Sequence, residues 1–309
     1  MKLIVFLTAT LAAQELRFAE LKDFKPESGE TAINVRIGYR TYGTLNATKS
    51  NAILFPTWFG GKSENLQPFV GKDKILDSDR FFVILVDALS NGVSTRIDKL
   101  TIRDMVRSQH RLLTEHFGIT RLHGVIGISM GGMQSFEWAV AYPGFAERIV
   151  PIIGSPKLST PDLLLWQAQL SAIEAAVANN IDPRAVMPAV NAMQQFALRT
   201  PDYEAVNGAE WEKLKQSLSN PGNDPLDRAA QLRAMMSQNL NLQESVAKVR
   251  AKMLIVYAAQ DHMVNPKTSI EFANLGGFAT LNLNGNCGHM AISCEAARMT
   301  ATVRAFLEQ

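Results

Sequence analysis

Leu122-His-Gly-Val-Ile-Gly-Ile-Ser-Met-Gly-Gly-Met133 is the stretch on which the fold of this chain turns. Residues 122–126 form a short apolar run of the kind that fills a strand buried on both faces. The run leads straight into Gly127-Ile128-Ser129-Met130-Gly131, a G-x-S-x-G pattern. Beyond it, Met133, Phe136, Ala139 and Val140 recur at helical spacing until Pro143 stops the helix. Strand, tight turn with serine at its apex, then helix is the context in which this pattern presents a nucleophile. A strained turn that pushes a hydroxyl outward leaves no room for Cβ atoms beside it, which accounts for the glycines. The helix that begins after Ser129 adds free backbone N–H groups where an oxyanion forms. The competing reading is a glycine-rich turn with a chance serine; the flanking strand and helix favour the nucleophile.

Around that centre, composition narrows the classes. A chain of 309 residues can bury a large core, as one big domain or two small ones. Hydrophobic residues at 47% and charged residues at 19% describe an ordinary globular protein. A net charge of +2 with no basic run argues against nucleic acid or an anionic membrane surface as partner. Cys287 and Cys294 are too few for a disulfide framework; they could pair with each other, a question of geometry. No zinc-type spacing of Cys and His occurs, so no metal is expected. Lys2 followed by an apolar run through Ala13 reads as a short secretory signal over residues 1–13, with a first strand as the alternative. The signal implies a secreted or periplasmic protein, the strand a cytoplasmic one. The run is too short to span a membrane.

The pattern on either side of Ser129 is alternation. Residues 32–39, 51–55, 81–86 and 148–153 read as strands, and residues 101–117 as an amphipathic helix closed by Gly118. From residue 160 to 245 strand-like runs disappear and helices follow one another: 162–179, 183–198, 210–218 and 226–238, punctuated by Pro201, Pro221 and Pro225. Residues 252–259 and 279–283 restore the strands before a final helix, 295–307. The expected domain plan is a core of residues 14–159 and 246–309, with a helical cap at 160–245 inserted in it. The expected fold class is α/β, an α/β-hydrolase fold with a mostly parallel sheet and helices on both faces.

The remaining chemistry sits at strand ends. Asp261 follows the 252–259 strand, and His289 lies in Gly285-Asn-Cys-Gly-His289 after the 279–283 strand. The order Ser129, Asp261, His289 is that of an α/β-hydrolase. A serine needs a base to take its proton, histidine supplies one near neutral pH, and a carboxylate fixes the imidazole's tautomer. His262 is a rival base, but a sequence neighbour of Asp261 points away from it. His110, His116 and His123 read as structural or solvated. The loop after the 51–55 strand should supply an oxyanion donor, the backbone N–H of Trp58, paired with that of Met130; Trp58 as a core residue is compatible with this.

These residues resemble the homoserine O-acetyltransferases, which adopt the α/β-hydrolase fold with a helical cap. The resemblance runs from about Phe18 to the C-terminus. It rests on Gly38-Tyr-Arg-Thr-Tyr-Gly-Thr-Leu-Asn46, Thr101-Ile-Arg-Asp-Met-Val106, Ser129-Met-Gly-Gly-Met-Gln134, Glu137-Trp-Ala139 and the surroundings of Asp261 and His289. It implies ping-pong transfer: Ser129 takes an acyl group from a thioester and an acceptor hydroxyl removes it. No bound cofactor is expected; acyl-CoA is a candidate co-substrate, and a homodimer the candidate assembly. Two departures bear on the acceptor. In the family, an Arg in the first cap helix meets the amino acid's carboxylate; here, in the stretch that begins at Trp166, Leu170 takes its place. An Asp after the catalytic His meets the ammonium; here that position is Met290. Burying an unpaired charge costs several kcal/mol, so homoserine is not the expected acceptor. Trp166, Leu170 and Met290 are therefore the candidate pocket residues. Met187, Met193, Met235 and Met236 read as cap core, or as a lining for an acyl chain. Three readings follow: acyl transfer to a different acceptor, ester hydrolysis by water, and a non-catalytic binding protein, which has no need of all three triad residues.

Overall fold

The computed structural model describes residues 15–29, 33–220 and 222–309, so the segment read as an export signal lies outside it. The apolar runs become strands: β1 (Arg17–Phe24), β2 (Ile33–Tyr42), β3 (Ala52–Pro56), β4 (Phe82–Val86), β5 (Leu122–Ile128), β6 (Ala146–Ile152), β7 (Lys252–Ala258) and β8 (Ala279–Leu283). They form one sheet in the order β1-β2-β4-β3-β5-β6-β7-β8. The β1–β2 and β2–β4 pairs are antiparallel and the others parallel. Every residue of β3 and β4 is buried, because helices cover both faces of the sheet.

Helices α1 (Ser63–Leu66), α2 (Ile102–Arg111) and α3 (Met130–Ala141) alternate with strands. Between β6 and β7 run α4 (Thr160–Ala178), α5 (Met187–Leu198), α6 (Pro201–Asn207), α7 (Trp211–Leu218), α8 (Pro225–Met236) and α9 (Leu242–Lys248). Helices α10 (Lys267–Gly276), α11 (Ala291–Cys294) and α12 (Ala296–Leu307) complete the chain. Side chains alternate across the sheet. Leu54, Ile84 and Val125 join Met105, Phe136 and Phe272 of α2, α3 and α10. Ile53, Val83 and Ile126 join Leu66 of α1 and Met299, Val303 and Leu307 of α12. No helix among the described residues is long and apolar enough to cross a membrane.

Differences from expectation are local. The helix expected over residues 101–117 begins with a capping box, Thr101 accepting from Asp104 N–H, and loosens after Arg111 into a π-helical turn, Leu112–His116. Pro201, which reads as a breaker, opens α6: at a first helical position the missing N–H is no loss, and the Thr200 hydroxyl caps that end. Cys287 and Cys294, whose pairing the sequence left open, form a disulfide.

Candidate active site

The turn after β5 holds Ser129 at φ 56° and ψ −117°, a conformation that costs free energy in any non-glycine residue. The glycines around it are there for close approach. A Cβ on Gly127 would lie 2.0 Å from the carbonyl oxygen of Gly131, and one on Gly131 would lie 2.8 Å from that of Pro56. The Ser129 N–H donates to the Ile152 carbonyl at 2.9 Å, which ties the turn to β6.

Asp261 follows β7, and its Oδ1 accepts from the backbone N–H groups of Met263 (2.8 Å) and Val264 (2.9 Å). That fixes the carboxylate and leaves Oδ2 free, 2.7 Å from Nδ1 of His289. Nε2 of His289 lies 3.0 Å from Oγ of Ser129. With its hydrogen on Nδ1, the imidazole donates to Asp261 and accepts from the serine hydroxyl. All three are buried, Ser129 at 9%, Asp261 at 4% and His289 at 6% relative exposure, so solvent screens them little. His289 sits in a turn, Gly288–Met290, that the Cys287–Cys294 bridge encloses. His262 is exposed and outside this chain of contacts. The other histidines are structural: His110 stacks on Tyr142, His116 bonds the Tyr39 hydroxyl, and His123 bonds the Leu307 carbonyl.

The loop after β3, residues 57–61, passes beside Ser129 as a strap. Met130 is the first residue of α3, so its N–H has no partner inside the helix. The N–H of Trp58 makes no hydrogen bond among the described residues. The strap is anchored from two sides. Below it, the fully buried Gln134 donates from Nε2 to the carbonyls of Thr57 and Met130, both at 3.2 Å. Gln109 donates to Gln134 and accepts from the Trp138 indole, so a buried polar network runs from α2 through α3 to the strap. Above it, Gln231 of α8 accepts from Gly60 N–H at 2.8 Å and Asn223 donates to Gly60 carbonyl at 2.7 Å. Sequence reasoning did not find these anchors; a buried glutamine in a helix carries no local signal.

Another residue it missed is Asp162. Its Oδ2 accepts from Ser159 at the start of α4, while Oδ1 accepts from Asn265 N–H at 3.0 Å, in the loop that carries Asp261. One carboxylate thus fastens the start of α4 to the loop that carries Asp261. Burial raises its pKa above the usual carboxylate value, against the pull of those hydrogen bonds. The Ser159-Thr-Pro-Asp162 capping-box pattern was its one visible signal.

Ser129 and His289 open on a cleft of about 300 Å³, at the small end of ligand pockets. Trp58, Trp166 and Met290 line it, with Phe59, Phe69 and Leu198 completing an apolar wall. Gln194 and Ser293 add polar groups, and no Asp, Glu, Lys or Arg is among the described lining residues. Leu170 corrects an expectation: it shares a helical face with Trp166 but is 5% exposed in the apolar core and does not line the cleft. It lies a turn farther along α4, where that helix packs against α8. Met187 and Met235 are likewise buried in that core, with Met236 packed against it; the methionines of the cleft are Met263 and Met290. Among the described residues no group of His, Cys, Asp and Glu could hold a metal ion.

A family described as alpha/beta hydrolase fold matches residues 53–293. The ethyl acetate hydrolase of Pseudomonas veronii is 38% identical over 48% of this chain and 46% of its own length. The homoserine O-acetyltransferase of Methanococcoides burtonii is 37% identical over 47% of this chain and 35% of its own. The chain thus spans half or less of the length of these curated relatives. Among solved structures, that of esterase E22 superposes with a TM-score of 0.85 at 26% identity, over 95% of this chain and 99% of that one.

Proposed function

The chain belongs to the α/β-hydrolase fold family, and from that premise we propose that it cleaves small carboxylic esters through an acyl-Ser129 intermediate, with water as the acceptor. His289 Nε2 takes the hydroxyl proton as Oγ attacks the ester carbonyl, then returns it to the departing alcohol. Asp261 holds the imidazole in the required tautomer and stabilises the imidazolium that forms. The N–H groups of Trp58 and Met130 receive the oxyanion, each supplying about 3–4 kcal/mol of transition-state stabilisation. Water activated by the same imidazole releases the acid.

The observation that carries this reading is the continuous Asp261–His289–Ser129 contact chain opening on a cleft without charged lining. That lining also argues against homoserine, whose ammonium and carboxylate find no counter-charge there, Met290 standing where the ammonium needs an acid. The second reading is transfer to a small neutral alcohol, which shares every step up to the acyl-enzyme. The Ser129-Met-Gly-Gly-Met-Gln134 run shared with the acetyltransferases favours it.

Turnover of 4-nitrophenyl acetate by the protein and by Ser129→Ala tests the mechanism. A loss of about 10⁴-fold or more is expected; a variant keeping a tenth of the activity removes Ser129 from it. Product analysis with methanol or homoserine present separates the acceptors. Acetate should dominate, and efficient formation of O-acetylhomoserine contradicts the proposal.

A further inference from the structure

We infer that Arg228 makes the cleft next to the Ser129 pocket a binding site for a carboxylate, so that the preferred esters carry an anionic end beyond the bond that is cut. This rests on the reading of Ser129 above and adds the substrate class to it.

Arg228 lies in the first turn of α8 with its guanidinium largely buried, its carbon 5.0 Å above the ring of Phe59. Its Nη2 donates to Oε1 of Gln169 at 2.7 Å and to Oε1 of Gln194, two neutral acceptors. Nε is buried and has no hydrogen-bond partner among the described residues. The nearby acids are engaged elsewhere: Asp224 and Asp227 both pair with Arg96. No carboxylate among the described residues pairs with Arg228. By contrast the buried Glu137 has Arg103 and the buried Arg148 has Glu147. Burial lowers the Arg228 pKa to about 10, which still leaves it charged at neutral pH. A buried, uncompensated cation is costly to folding and suited to a ligand that brings the missing charge.

The position fits such a ligand. Arg228 lines a cleft of about 390 Å³ with Gly60, Asn65, Asn223 and Gln231, and it is the one charged side chain among the described lining residues. Trp58 and Phe59 line both this cleft and the one that holds Ser129. Gln194, one bond from the guanidinium, lines the Ser129 cleft. Trp58 and Phe59 therefore form the wall that the two clefts share, and the proposal requires an ester seated at Ser129 to extend its far end past that wall to Arg228. A single positive charge matches a carboxylate rather than a dianionic phosphate. The place differs from Met290, which lines the Ser129 cleft and is the position where the resemblance to the acetyltransferases puts an ammonium partner.

The test compares 4-nitrophenyl hydrogen glutarate with its methyl ester, which removes the charge and keeps the chain. The protein is expected to favour the free acid in kcat/KM by about 10- to 100-fold, the range of one charge-assisted contact. Arg228→Met should abolish that ratio and Arg228→Lys should keep part of it. Equal turnover of the two esters by the unaltered protein, or a ratio unchanged in Arg228→Met, overturns the proposal. An equal fall on both esters also overturns it and assigns Arg228 to holding Phe59. Calorimetric binding of glutarate needs no turnover and should weaken about tenfold or more in Arg228→Met. If inorganic phosphate binds as tightly as glutarate, the carboxylate assignment is wrong. Failure to turn over either ester counts against the Ser129 reading instead, and glutarate binding still decides this one.

Discussion

Gln134→Met is expected to damage catalysis and stability by separable amounts. The side chain is fully buried, donates to the carbonyls of Thr57 and Met130 at 3.2 Å, and accepts from Gln109. Methionine fills similar space but can neither donate nor accept comparably, so the Thr57 carbonyl and the Gln109 amide lose a buried partner. Each group orphaned in this way costs about 1–3 kcal/mol, so for the two together unfolding free energy should fall by roughly 2–6 kcal/mol. Thr57 immediately precedes Trp58, whose N–H is assigned to the oxyanion. Complete loss of one such donor costs about 3–4 kcal/mol of transition-state stabilisation. Gln231 and Asn223 still hold Gly60 from the cap side, so only part of that is at stake. The expected fall in kcat is about 10- to 100-fold, or about 1.4–2.7 kcal/mol, with KM for a small neutral ester nearly unchanged. Urea unfolding and steady-state hydrolysis of 4-nitrophenyl acetate read the two effects. A variant that loses the stability but keeps kcat within about twofold refutes the link from Gln134 to the oxyanion strap.

Other outcomes follow from single features. Asp261→Asn should slow ester hydrolysis by roughly 10⁴-fold, because the imidazole is then held in the wrong tautomer; an unimpaired variant moves the acid elsewhere. Cys294→Ser opens the ring that encloses His289, which joins residues seven apart, and should lower unfolding free energy by roughly 2–3 kcal/mol. Dithiothreitol should bring the unaltered protein to the same value and leave the variant where it is; further loss in the variant would show a different cause. Asp87 is 1% exposed, its Oδ2 has no hydrogen-bond partner among the described residues, and burial raises its pKa above the ordinary carboxylate value. Such a group favours folding most when protonated, and that contribution is lost as pH rises through the raised value. Asp87→Asn should therefore gain stability over the parent as pH goes from acid to neutral, and a difference independent of pH contradicts this.

What the sequence made legible is what local pattern determines. The β5–Ser129–α3 unit could be read because a doubly buried strand, two close-approach glycines and an apolar helix stand next to one another. Asp261 and His289 stood out by their place after strands, and the structure brings both into one contact chain with Ser129. Leu170 shows where this stops. Helical periodicity puts it on the face of Trp166, but α8, distant in sequence, decides which part of that face meets the cleft and which part the core. Gln134, Gln231 and Arg228 are polar residues on helices, and pattern alone assigns such residues to solvent. Tertiary packing buries them around the strap, where their hydrogen bonds act. The opening of α6 at Pro201 was hidden in the same way, since proline reads as a breaker unless a cap such as Thr200 is seen behind it.

The central claim is that Ser129 carries the acyl group. Rapid mixing of the protein with 4-nitrophenyl acetate, acid quenching and peptide mass mapping read it directly. One acetyl group on the peptide and side chain of Ser129, appearing with the burst of nitrophenol and absent from His289→Ala, is the expected result. A burst with the adduct on another residue, or steady hydrolysis with Ser129 never modified under conditions that trap an acyl-enzyme, would contradict it.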